Sequence, residues 1–217
     1  MTMSECERSI GPRFAMLLLQ LLLVGTATWW LLRGEGGGGE AAALPAMLLA
    51  GCLWVYVLRT CFTATVLLRR PVPWSEAIGV SVWVALIYAT YALAGGGETA
   101  SAYTWAGLAL YGIGSALNTG SEWMRHRWKR RSENRGRLYT GGLFRYSIHI
   151  NYFGDLVLFT GLCLIAGAWW TGWVPLAMAG MFIGIHIPRM DRYLEAKYGE
   201  AFAAYAARTK KLIPWVY

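Results

Sequence analysis

Residues 14–32 read FAMLLLQLLLVGTATWWLL, flanked by Arg13 and Arg33. A bilayer core is crossed by about 20 mostly apolar residues in a helix, and this run is long enough. It lacks the small-residue cleavage pattern of a signal peptide directly after it. Further apolar runs follow at 41–68, 76–94, 102–118, 152–170 and 173–187. The chain is 56% hydrophobic and only 15% charged, against about 25% charged in soluble domains. The expected fold is all-α: one polytopic membrane domain over 1–217 with about six transmembrane helices. The polar breaks between spans are expected at GEGGGGE (34–40), the Arg69-Arg70-Pro71-Val72-Pro73 turn, Gly95 to Glu98, the basic loop after Asn118, and Thr171-Gly172. Pro188 is expected to end the last span, since proline cannot extend a helix.

The net charge is +8, and its placement orients the bundle. Arg8, Arg13, Arg69, Arg70, the run 125–137, Arg145, Arg189, Arg192, Lys197, Arg208, Lys210 and Lys211 all fall on one side of a six-span arrangement. Arg33 alone falls on the other. This positive-inside bias places both termini in the cytoplasm, and a bacterial inner membrane is the expected location. The basic residues form no groove-reading motif, so nucleic acid is not an expected partner; membrane lipids are. Leu194, Tyr198, Phe202 and Tyr205 recur at helical spacing with charges between them. They predict a C-terminal amphipathic helix against the cytosolic face.

Cys6, Cys52, Cys61 and Cys163 are scattered, with no CxxC pair. Three histidines lack carboxylates at ligand spacing, so no metal site is expected. His186 reads as a packed helix-end residue. Gln20 is the single amide of the first run, and bonds a neighbouring helix or faces a pocket. Asn118, Glu122 and Arg125 or Lys129 share one helix face. That face suits a nucleotide, with amide and acid on ribose or base and cations on phosphates, or else anionic headgroups. The densest polar stretch is GGLFRYSIHINYFGD (141–155), which mixes glycines, aromatics, Arg145, His149, Asn151 and Asp155 at a membrane boundary. Ionisable groups there are costly unless something pairs or uses them. His149 either contacts a cofactor or caps its loop.

Together GIGSALNTGSEWM from Gly112, GGLFRYSIHINYFGD, Arg189-Met-Asp-Arg-Tyr193-Leu and the closing Leu212-Ile213-Pro214 resemble the C-terminal half of the steroid 5α-reductase family. A fainter echo lies in Tyr56 to Thr60 and Leu67 to Pro73. The resemblance implies a cofactor-binding half over 102–217 and an NADPH-dependent reduction of a carbon–carbon double bond in an enone steroid or related lipid. It implies cofactor contacts at Asn118, Glu122, Arg137, Asn151 and Asp155, with Glu122 and Asp155 each replacing the other acid of the family pattern. Arg70 and Tyr193 fall at phosphate and cofactor positions. Arg189 in its motif and Lys129 on the Asn118 face complete the set. Tyr56 matches a tyrosine that holds the substrate carbonyl. The family's Gln-Glu-Leu-Pro pattern, whose acid pairs with that tyrosine, is absent, and Gln20 stands in its place. The family has seven spans, so a helix ahead of the first is expected to be missing.

Two other readings remain. The isoprenylcysteine carboxyl methyltransferase type shares this C-terminal architecture and uses S-adenosylmethionine; its Arg-His-Pro is here Ile148-His149-Ile150. A non-catalytic lipid-binding membrane protein is the third.

Overall fold

The computed structural model describes residues 3–33, 44–68, 70–97 and 99–217, with side chains described from residue 10 onward. The glycine-rich loop 34–40, the start of the second span at 41–43, Arg69 and Glu98 lie outside the described residues. All secondary-structure elements among the described residues are helices, and the chain divides into two compact units, residues 1–108 with 162–171, and residues 109–161 with 172–217.

Three long helices dominate the first unit: α1 (Met3–Leu32), α2 (Leu44–Phe62) and α3 (Trp74–Ala94). α1 packs against both α2 and α3. Its small and branched residues Val24, Ala27 and Leu31 are buried, as are Leu49, Leu53 and Val57 of α2 and Val84, Ile87 and Tyr91 of α3. Phe14, Leu22, Leu58, Ile78 and Leu93 are exposed. Large apolar side chains on the outside of an apolar bundle are what lipid contact produces. α2 ends in a π turn, Thr63–Leu67, and Leu68 is extended, which takes the chain out of the helix before Pro71 and Pro73. The Arg13 guanidinium crosses to this end and donates to the carbonyls of Leu68 (3.1 Å) and Arg70. At the far end Gly96 has φ +78°, and a Cβ there would lie 2.8 Å from the Ala46 nitrogen. Only glycine lets the turn after α3 approach α2 so closely.

The second unit contains the second half of α4 (Ala102–Ser115), then a π turn (Ala116–Gly120), α5 (Ser121–Lys129), most of α6 (Ile150–Ala166), α7 (Trp173–Met181), a second π turn (Phe182–His186), α8 (Ile187–Tyr198) and α9 (Glu200–Ala206). α4 and α6 meet at glycines. A Cβ on Gly114 would lie 2.4 Å from the Leu158 nitrogen and 2.5 Å from the Gly154 carbonyl oxygen. One on Gly154 would lie 2.6 Å from the Asn118 nitrogen. The backbones therefore touch without intervening side chains, the small-residue packing of membrane helices.

Among the described residues four stretches are long and apolar enough to cross a membrane: Ile10–Leu32, Leu44–Leu67, Trp74–Ala94 and Trp169–Tyr198; Ile150–Ala166 is apolar but shorter. The expected span at 102–118 lies in a helix that carries on without interruption to Lys129 and becomes charged from Glu122 on. The last span does not stop at Pro188. Helix continues to Tyr198 because the π turn precedes the proline and Pro188 falls in the first turn of α8, where a missing N–H costs little.

The amphipathic tail also differs from expectation. It is two helices, α8 and α9, broken at Gly199 (φ +50°). Leu194, Tyr198, Phe202 and Tyr205 pack on Ile148 and Leu138. Their apolar face is thus covered by the chain's own loop. The buried Tyr205 hydroxyl donates to the Phe144 carbonyl at 2.5 Å, and burial pushes its pKa upward, so it stays a donor at neutral pH.

Gly154→Val is expected to destabilise the folded protein by about 1–3 kcal/mol or more, since two backbones must part. Thermal unfolding in detergent measures this; an unchanged midpoint would mean that the crossing is not tight.

Candidate functional site

The glycine crossing sets the site. Because α4 and α6 touch there, the Asn118 amide in the π turn donates to the Asn151 carbonyl at the start of α6, 3.1 Å away. π turns often occur at functional positions because they turn side chains out of the regular helical register. Ser121 donates back to the Asn118 carbonyl at 2.9 Å and is fully buried. One turn on, Glu122 accepts from Arg125 through Oε2, while its Oε1 is buried with no hydrogen-bond partner among the described residues. Arg125 also lies over the Phe144 ring, 5.3 Å from its centroid.

Tyr152 is the hub of the cluster. Its hydroxyl is within electrostatic reach of Glu122, Arg125, Asp155 and Asp191. Its ring stacks between His149 (5.3 Å, 5° between planes) and Phe182 (4.6 Å, 10°). His149 is 4% exposed, and its Nε2 lies 2.8 Å from Asp191 Oδ1. Asp191 Oδ2 is 3.3 Å from Lys211 Nζ. The chain's last segment is strapped to the same loop. Ile148 and His149 donate their backbone N–H groups to the Lys210 and Lys211 carbonyls at 2.8 and 2.9 Å. The Ser147 hydroxyl donates to the Leu212 carbonyl at 2.8 Å.

The structure thus brings Asn118 and Asn151 into contact and sets Glu122 and Asp155 within electrostatic reach of Tyr152. Lys129 sits farther down α5 and donates to the Tyr198 hydroxyl at 2.9 Å. Tyr193 is exposed and accepts from Lys197 at 2.9 Å. Arg137 and Arg189 are both exposed. Among the described residues no group of three or more His, Cys, Asp or Glu is placed to hold a metal.

Gln20, Tyr56 and Arg70 belong to the first unit. Arg70 forms a two-pronged pair with Glu76, both contacts 2.6 Å, and the Glu76 hydrogen bonds hold the Arg70 pKa above its ordinary value. Tyr56 is half-buried, edge-on to Tyr88 at 6.3 Å, with the Arg59 guanidinium 5.9 Å from its ring centroid. Gln20 is fully buried, and among the described residues neither its oxygen nor its nitrogen has a hydrogen-bond partner, so the bond to a neighbouring helix, one of its two expected roles, is not formed there.

The family described as "Protein of unknown function (DUF1295)" matches residues 72–209, more than half of the chain and all of the Tyr152 cluster except Lys211. The chain belongs to the DUF1295 family. No curated protein matches it.

Tyr152, Asp191 and Lys211 were not singled out as site residues from the sequence, and Arg125 only as the alternative to Lys129 on the Asn118 face. In this DUF1295 chain Asp191 is the one acid between Arg189 and Arg192, which is a signal of sorts. Its partners are 42 residues away at His149 and beyond the end of α9 at Lys211, so no spacing reveals them. Asp191→Ala leaves buried His149 without its acceptor and Lys211 without its counter-charge. A loss of about 1–3 kcal/mol in unfolding free energy is expected, with Asp191→Asn recovering part of it. Equal midpoints for the alanine variant and the parent would remove the latch.

Proposed function

We propose that this protein is a membrane-embedded reductase that uses NADPH to saturate the carbon–carbon double bond of an enone in a steroid or related lipid. The observation that carries the reading is the buried, unpartnered Glu122 Oε1 beside Arg125 at the Asn118–Asn151 contact. A buried acceptor without a donor is costly in the unliganded protein. A ligand bearing hydroxyl or amide donors and phosphates fits that donor set. Asn118, Glu122, Asn151 and Asp155 would hold the ribose and carboxamide groups. Arg125, Lys129, Arg137 and Arg189 supply cations for phosphate, and Tyr193 a ring beside them. When bound, the nicotinamide supplies the hydride.

The chain's own groups do the rest. Tyr56 donates a hydrogen bond to the substrate carbonyl, where negative charge grows as the double bond is reduced. Gln20 offers a neutral amide in place of the family's acid. The apolar spans admit a lipid substrate laterally and keep the reacting carbonyl away from water. In this reading the continuous α4–α5 helix and the shorter α6 complete six crossings of a bacterial inner membrane, with both termini cytoplasmic.

A thermal-shift titration of the detergent-purified chain with NADPH, NADH and S-adenosylmethionine separates the readings. A ligand specific to the folded state adds about 2.7 kcal/mol at a hundredfold excess over Kd. NADPH is expected to raise the midpoint, and Asn151→Ala or Asp155→Ala to remove the shift while leaving the apo midpoint near the parent's. A shift with S-adenosylmethionine alone would replace the proposal with a methyltransferase; no shift with any would favour the lipid-binding protein.

Two substitutions address the substrate side. Tyr56→Phe is expected to lower turnover by about 10²–10³-fold while leaving NADPH affinity intact, as loss of one oxyanion donor does. Gln20→Leu removes two unsatisfied buried atoms and should raise apo stability by about 1–3 kcal/mol while lowering enone reduction. A stabilised variant of full activity would make Gln20 purely structural.

A further inference from the structure

After Leu212 the chain closes on itself. The Leu212 and Ile213 N–H groups both donate to the Tyr217 carbonyl oxygen, at 2.7 and 2.8 Å. The turn between them holds Trp215 at φ +64°, the one positive-φ residue other than glycine among the described residues. A bulky side chain in the left-handed region is an outlier that only a tightly determined turn sustains. The result is outward presentation: Trp215 is 78% and Val216 71% exposed, with Ile213 and Tyr217 beside them also exposed. Trp215 leans on exposed Tyr146, 5.7 Å between centroids, and Arg145 lies over that ring at 5.4 Å.

The surroundings are cationic. Residues 201–217 contain Arg208, Lys210 and Lys211 and no acid. Arg145, Arg208 and Lys210 are exposed; Arg145 lies over the Tyr146 ring and Lys211 pairs with Asp191. The level of the turn is fixed as well. Its strap holds Ser147, Ile148 and His149, and apolar α6 begins at Ile150. An apolar, aromatic tip, with exposed cations on the segments that carry it, therefore stands beside the first residues of apolar α6.

We infer that the turn of Ile213, Pro214, Trp215, Val216 and Tyr217 docks into the surface of an anionic lipid bilayer, with Arg145, Arg208 and Lys210 on the headgroups. Trp and Tyr favour the headgroup level, and exposed cations beside an inserted apolar tip are the composition of an interfacial anchor. The inference stands independently of any catalytic activity.

The test is made on the whole chain carrying a nitroxide at Val216→Cys, with the labelled parent subtracted for its native cysteines. It is reconstituted in phosphatidylcholine vesicles and in phosphatidylcholine–phosphatidylglycerol vesicles. In the anionic vesicles the label should gain collisions with oxygen and lose collisions with a water-soluble nickel chelate, relative to a label at exposed Glu133→Cys. Arg145→Gln and Lys210→Gln should each lower the docked-to-free ratio about fivefold, the worth of one cation at an anionic surface. Trp215→Gly tolerates the left-handed backbone, so it should keep the thermal midpoint and still lower immersion. A label as exposed to the chelate as that at Glu133 in both vesicle types would overturn the inference. Equal immersion in both would overturn its anionic character. Dipolar broadening between labels would replace the lipid with a second copy of the chain.

Discussion

The second unit depends on the absence of two side chains. At Gly114 and Gly154 the backbones of α4 and α6 approach until no Cβ fits between them. In lipid there is little hydrophobic force to drive helices together, so close van der Waals contact supplies much of the attraction. The same contact decides chemistry. It sets the Asn118 amide against the Asn151 carbonyl and so joins two polar segments separated by a long basic loop. Were the helices held a side chain's width apart, those segments would be two unrelated loops.

A second constraint acts from the chain's end. Backbone hydrogen bonds from residues 148 and 149 to residues 210 and 211 pin the tail beside α6, and the Asp191 carboxylate bridges His149 and Lys211. Three segments far apart in sequence are thereby tied at one carboxylate. The stacked column of His149, Tyr152 and Phe182 continues the tie into the π turn at 182–186. Rigidity at this corner comes from directional polar contacts and stacked rings, whereas the first unit is held by apolar packing of long helices.

The sequence made the helical class and the first three spans plain, because each is a long apolar run closed by Pro, Gly or Arg. It also marked Asn118, Glu122, Asn151 and Asp155, since polar residues at a membrane boundary stand out against an apolar background. Other features were hidden for physical reasons. The continuation through Pro188 depends on a π turn, which has no compositional signature. The burial of Phe202 and Tyr205 on Ile148 follows from a tertiary contact that helical periodicity cannot specify; the same periodicity serves lipid and protein equally. Asp191 and Lys211 meet only once the tail has folded back.

The three π turns among the described residues, at 63–67, 116–120 and 182–186, have a consequence for how such a chain changes over time. Each accommodates one residue more than an α-helical turn does. In regular helix one added or lost residue rotates everything downstream by about 100°, the angular step of one residue; a wide turn absorbs that step locally. For the turn at Asn118, Glu122 and Arg125 would therefore keep their facing through a single-residue change within 116–120, and only the side chains of the turn itself would be re-aimed. Insertions and deletions at these points are thus a route by which a bundle of this kind changes the polar groups of one turn without rebuilding its packing.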